Sequence, residues 1–67
     1  MTTPIDDPRP YAEVLRDWMA RHGLSTYAAA PILGPTRAAV GKWLRGGTCA
    51  HERAYRALMT LHDEGRA

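Results

Sequence analysis

The chain is predicted to be an all-α domain of four short helices, and three observations point to that class. Val and Ile total four in 67 residues, Phe is absent and alanine is the commonest residue, a balance that favours helix over sheet. Apolar residues recur at helical rather than alternating spacing. Gly23-Leu-Ser, Gly34-Pro-Thr and Gly46-Gly47 then interrupt that periodicity with the residue types that stop and start helices. A mass of 7.4 kDa holds one small core. A single cysteine, Cys49, staples nothing, so the core must suffice alone or be completed by a second subunit.

Residues 1–9 hold two prolines, with a third at Pro10, and two aspartates without apolar periodicity, and read as a flexible, extended arm. The domain proper is expected over residues 10–62, with a polar tail over 63–67. Pro10 suits a first helical position, where its missing N–H costs nothing. From there Tyr11, Val14, Leu15, Trp18, Met19 and His22 follow i, i+3, i+4, i+7 spacing, and Gly23 supplies the left-handed cap. A second helix is expected over Thr26 to Leu33, capped by Ser25 and ended by Gly34, with Ala29, Ala30, Ile32 and Leu33 inward. Pro31 inside it predicts a kinked or partly 3₁₀ course.

Thr36 caps a third helix from Arg37 to about Arg45, stopped by Gly46-Gly47. At ~100° per residue, Arg37, Ala38, Gly41, Lys42 and Arg45 share one arc, and Ala39, Val40, Trp43 and Leu44 share the other. A fourth helix spans about Ala50 to His62. Its apolar arc is wider than one core face needs, which makes Tyr55, Met59 and His62 the expected homodimer contact.

Net charge is a mild +2, but its distribution is uneven. Residues 1–17 carry four acids against two arginines, whereas residues 18–51 carry Arg21, Arg37, Lys42 and Arg45 and no acid. An acid-free central segment suits a polyanion. A helix fits the major groove of B-DNA, where Arg37 and Lys42 can donate to guanine and Ala38 can pack on a thymine methyl. Thr36 joins a hydroxyl to free backbone N–H groups, a combination that suits phosphate. Gly41, mid-face, allows close approach of the backbone at ~1 kcal/mol of helix propensity.

The stretch Gly23-Leu-Ser-Thr-Tyr-Ala-Ala-Ala-Pro-Ile-Leu-Gly-Pro-Thr-Arg-Ala-Ala-Val-Gly-Lys-Trp-Leu-Arg-Gly resembles the helix-turn-helix of the lambda repressor and Cro (XRE) family. The pattern is met at Leu24, Ser25, Ala30, Leu33, Gly34, Thr36, Val40, Trp43 and Gly46, within a resemblance that covers residues 10–62. It implies a four-helix member of that family whose third helix enters the major groove of a double-stranded, palindromic DNA operator as a homodimer. Position by position, it implies base contacts from Arg37, Ala38 and Lys42, and backbone contacts from Thr26, Thr36 and Arg45. Arg21 is expected to add a further phosphate contact. The expected role is a small autoregulating repressor of phage or mobile-element type, and the anti-CRISPR-associated autorepressors are loosely similar over Thr48 to Leu61. The alternative is a protein-interaction module on the same scaffold, an antitoxin or an inhibitor of another protein.

Other function classes find little support. No carboxylate pair or nucleophile–base set supports an enzyme, and no cofactor or small-molecule ligand is expected. His22, Cys49, His51 and His62 lack the paired spacing of metal ligands, so no metal is expected. Trp18 and Trp43 sit at core spacing rather than as base-stacking platforms. The longest apolar run, Ala28 to Leu33, is too short for a membrane, and no secretory signal is read, which makes the cytoplasm the expected location.

Overall fold

Most helix boundaries have a local chemical cause. A computed structural model describes residues 3–34 and 36–65, and among them the regular structure is four α-helices and no strand. They are α1 (Tyr11–His22), α2 (Thr26–Leu33), α3 (Arg37–Leu44) and α4 (Glu52–Asp63). Pro10 stands just before α1 in an extended conformation. The helix closes where Gly23 N–H donates to the Ala20 carbonyl and Leu24 N–H to the Met19 carbonyl, and Leu24 folds onto the core.

Ser25 Oγ accepts from Ala28 N at 3.3 Å to start α2. Gly34, at φ 106°, ends it with a 2.7 Å bond from its N–H to the Ala30 carbonyl. The expected 3₁₀ character is not found: α2 is α-helical throughout. Pro31 lies on the exposed side and removes one bond, to the carbonyl of Tyr27, whose residue is 69 % exposed and open to water. Ala29, Ala30 and Leu33 are buried and Ile32 half-buried, as expected from their spacing.

In α3, Thr36 Oγ1 accepts from Ala39 N at 3.2 Å. The far end is closed by Gly46 N–H on the Trp43 carbonyl and Gly47 N–H on the Lys42 carbonyl, at 3.0 and 2.9 Å. Arg16 reaches across from α1 to donate to the Leu44 carbonyl at 2.9 Å, placing a cation where the α3 dipole is negative. Gly47 has no room for a side chain. A Cβ there would lie 2.6 Å from Lys42 Cγ and 2.8 Å from the Lys42 carbonyl oxygen. Because the second of these is backbone, Gly47→Ala is expected to cost about 1–3 kcal/mol. Thermal unfolding followed by circular dichroism checks this, and a melting temperature equal to the parent's would contradict it.

The core is built from one face of each helix: Tyr11, Val14, Leu15, Trp18 and Met19 of α1, Ala29, Ala30 and Leu33 of α2, Val40 and Trp43 of α3, and Met59 of α4. Helix α2 packs on α3 and α4, and α3 packs on α1. Both tryptophans are core residues, with Trp43 wedged between Tyr11 and Tyr55 at centroid distances of 5.6 and 4.8 Å.

Two expectations change here. Helix α4 begins at Glu52 rather than at about Ala50, because Ala50 and His51 form a turn that no side chain caps. The segment expected as a flexible arm is tied to α4 over residues 3–9. Pro4 is buried, and Ile5 N–H donates to Thr60 Oγ1 at 3.1 Å. The buried Arg56 guanidinium donates to the carbonyls of Pro4, Asp7 and Arg9. Arg9 in turn bridges Asp7 and Asp17, and its hydrogen bonds hold the Asp7 carboxyl at a pKa of about 2. Residues 1–2 of the arm and 66–67 of the tail lie outside the described residues.

Candidate nucleic-acid interface

The exposed side of α3 is a cationic surface, because its core side takes every bulky apolar residue. Val40 and Trp43 are buried and Ala39 and Leu44 half-buried, which turns Arg37, Ala38, Lys42 and Arg45 to solvent with Gly41 between them. The two arcs expected from the helical wheel are thus the two faces observed.

Within this surface both guanidinium groups have definite positions. That of Arg37 lies 3.9 Å above the Tyr27 ring of α2. Stacking uses the face of the guanidinium and leaves its N–H donors at the edges. Arg45 folds back along the helix, so that a Cβ at Gly41 would meet its Nη1 at 3.5 Å. Thr36 is exposed at the N-terminus of α3. Its hydroxyl oxygen is engaged with Ala39 N–H, while the O–H remains able to donate. Thr26 is half-buried as the first residue of α2. Sequence reasoning did not single out Tyr27, although an aromatic on the outer side of a short helix was the available signal.

Three other arginines are paired with acids, whereas the α3 cations are not. Arg9 pairs with Asp7 and Asp17, Arg21 with Asp63 and Arg56 with Glu52. Among the described residues, Arg37, Lys42 and Arg45 form no ion pair.

Two groups of expected site residues are placed differently. Arg21 does not join the α3 cations. It lines a groove with Asp7, Asp17 and Asp63, and its Nη2 is 3.0 Å from Asp63. The expected dimer contact on α4 is largely consumed by the chain's own core. Met59 is 0 % exposed, Tyr55 packs on Trp43, and His62 packs on Trp18 at 5.3 Å. Much of the apolar arc of α4 thus faces the chain's own core, while the N-terminal segment is tied to Arg56 and Thr60.

The histidines also regroup. His22 and His62, distant in sequence, meet at a ring-centroid distance of 4.5 Å beside Asp63, whereas His51 is exposed and stands apart. Burial pushes the Asp63 carboxyl up, but hydrogen bonds from Arg21 and His22 outweigh it and hold the carboxyl below its usual pKa. Burial raises the Cys49 thiol, the opposite of what a nucleophile needs. No helix among the described residues is long and apolar enough to cross a membrane. Compared with known proteins, the chain matches no family model, no curated protein and no solved structure.

Proposed function

We propose that the chain binds double-stranded DNA through the exposed face of α3, as a small lambda-repressor-like helix-turn-helix regulator that represses its own operon. The observation that carries this reading is the trio Arg37, Lys42 and Arg45, exposed together on one helical face and without an ion pair among the described residues. The resemblance of residues 10–62 to the lambda repressor and Cro family supports it, as do the Thr36 cap and the small residues Ala38 and Gly41 on that face. In this reading Arg37 and Lys42 donate to base edges with Ala38 against a thymine methyl, while Thr26, Thr36 and Arg45 hold the phosphate backbone. Arg21 has no part in it. A second copy would set its α3 one helical turn away along the duplex.

The test is selection of bound duplexes from a random pool, followed by fluorescence anisotropy across a salt series. Expected is an enriched inverted repeat bound more tightly than scrambled duplex, with affinity falling steeply as salt rises. Absence of any enriched sequence, with equal binding to heparin and duplex, would overturn the reading.

Gly41 separates stability from binding. A Cβ there meets only ordinary contact, 3.5 Å from Arg45 Nη1. Gly41→Ala is therefore expected to gain up to about 1 kcal/mol of helix propensity while weakening duplex binding, because the methyl stands between α3 and the groove. Urea unfolding and anisotropy on the same variant check both halves. A variant that is more stable and binds equally well would place the DNA elsewhere.

A further inference from the structure

We propose that the C-terminal ends of α1 and α4 form a binding site for one divalent transition-metal ion of the zinc class, held by His22, His62 and Asp63. This site is independent of the nucleic-acid reading. One ring nitrogen from each histidine and one carboxylate oxygen of Asp63 lie within 4.8 Å of one another. Two imidazoles and a carboxylate are the nitrogen and oxygen donors that zinc takes in three-ligand sites, with a fourth position left for water.

Four further features favour a cation there. His62 Nδ1 is buried without a hydrogen-bond partner, a state that native proteins rarely leave uncompensated. Asp63 is already oriented: Arg21 holds Oδ2 at 3.0 Å, which leaves Oδ1 facing His22 Nε2 at 2.5 Å. Trp18 walls the site, with its indole against both rings at 5.7 and 5.3 Å, and keeps it partly dry. Finally, His22 is the last residue of α1 and Asp63 the last of α4, so two negative helix ends converge on the same point.

Tetrahedral ligands at zinc distances stand about 3.4 Å apart. His22 Nε2 and Asp63 Oδ1 must therefore part by about 1 Å, and the ion takes the place of their hydrogen bond. The partly exposed His22 ring has the freedom to make that move.

The experiment titrates the full chain with Zn²⁺ by calorimetry and with Co²⁺ by visible absorption, in parent, His22→Gln, His62→Gln and His51→Gln proteins. Expected is one ion per chain, Co²⁺ ligand-field bands without a thiolate charge-transfer band, and a rise in melting temperature with Zn²⁺. The Kd is expected to rise at least about tenfold in His22→Gln and His62→Gln and to stay unchanged in His51→Gln. Because His62 packs on Trp18, circular dichroism checks that its variant folds. Should it not, the exposed position His22 decides alone. Absence of saturable binding, or loss of binding in His51→Gln with His22→Gln unaffected, would overturn the proposal.

Discussion

Arg56→Met is expected to destabilise the domain by about 2–4 kcal/mol, which at this size lowers the melting temperature by about 10–25 °C. The side chain is buried, and its Nε donates to Glu52 at 2.9 Å. Its Nη1 donates to the carbonyls of Pro4 and Asp7 at 2.9 and 2.8 Å, and its Nη2 to that of Arg9 at 2.8 Å. Buried ion pairs can often be exchanged for apolar residues without loss. That escape is closed here, because three of the four acceptors are main-chain carbonyls that no substitution elsewhere removes. Methionine preserves the packing volume of the stem and deletes every donor, so residues 3–9 must either lift into water or stay with unpaired carbonyls. Arg56→Lys keeps the charge but not the planar fork, and recovers only part of the loss. Thermal and urea unfolding give the size of the effect. Faster amide exchange confined to the Ile5 N–H, which is bonded to Thr60, would show that the segment lifts first. A loss below about 0.5 kcal/mol would mean that the strap contributes nothing net.

Arg56 also shows where the sequence was silent. A helical wheel assigns arginine to solvent, and nothing local distinguishes Arg56 from Arg53 beside it. The difference is made by carbonyls 47 to 52 positions away, in a proline-rich segment whose own composition suggests no structure. The apolar arc of α4 is likewise wider than one core face needs because several parts of the fold meet it. Tyr55 packs on Trp43 of α3 and Met59 is fully buried in the core, contacts that only the folded chain makes. The meeting of His22 with His62 and Asp63 is likewise a product of tertiary folding, since ligands brought together from the ends of two separated helices leave no short paired spacing in the sequence.

What was legible was decided within a few residues. Ser25 and Thr36 each accept from the N–H three positions on, and Gly23 and Gly34 each take the left-handed cap. The α1 stripe and the two faces of α3 follow from 3.6-residue periodicity alone. The candidate interface was therefore readable to the extent that it occupies a single helix. Its Arg37–Tyr27 stack joins two helices and was not readable.

The double variant Arg37→Ala/Lys42→Ala is expected to weaken binding to the selected duplex by about 2–6 kcal/mol, at least about thirty-fold, through the loss of two base-edge donors worth ~1–3 kcal/mol each. Folding should be little affected. Both side chains are exposed, and the one contact given up is the Arg37–Tyr27 stack, worth about 0.5–1 kcal/mol at an exposed position. Specificity should fall with affinity, so that the selected and scrambled duplexes converge. Arg45→Ala should behave differently, lowering the salt slope by about one on both duplexes and leaving their ratio intact, as a phosphate contact does. Tyr27→Ala should imitate a weak form of Arg37→Ala, since it removes the platform that orients the guanidinium but no donor. The decisive control is Arg53→Ala, which deletes one exposed charge from α4 without touching α3. If net positive charge alone drove binding, losing Arg53 would cost as much as losing Arg45. If the α3 face reads DNA, Arg53→Ala should keep the parent affinity within about two-fold, because a charge far from the contacted phosphates is screened at physiological salt.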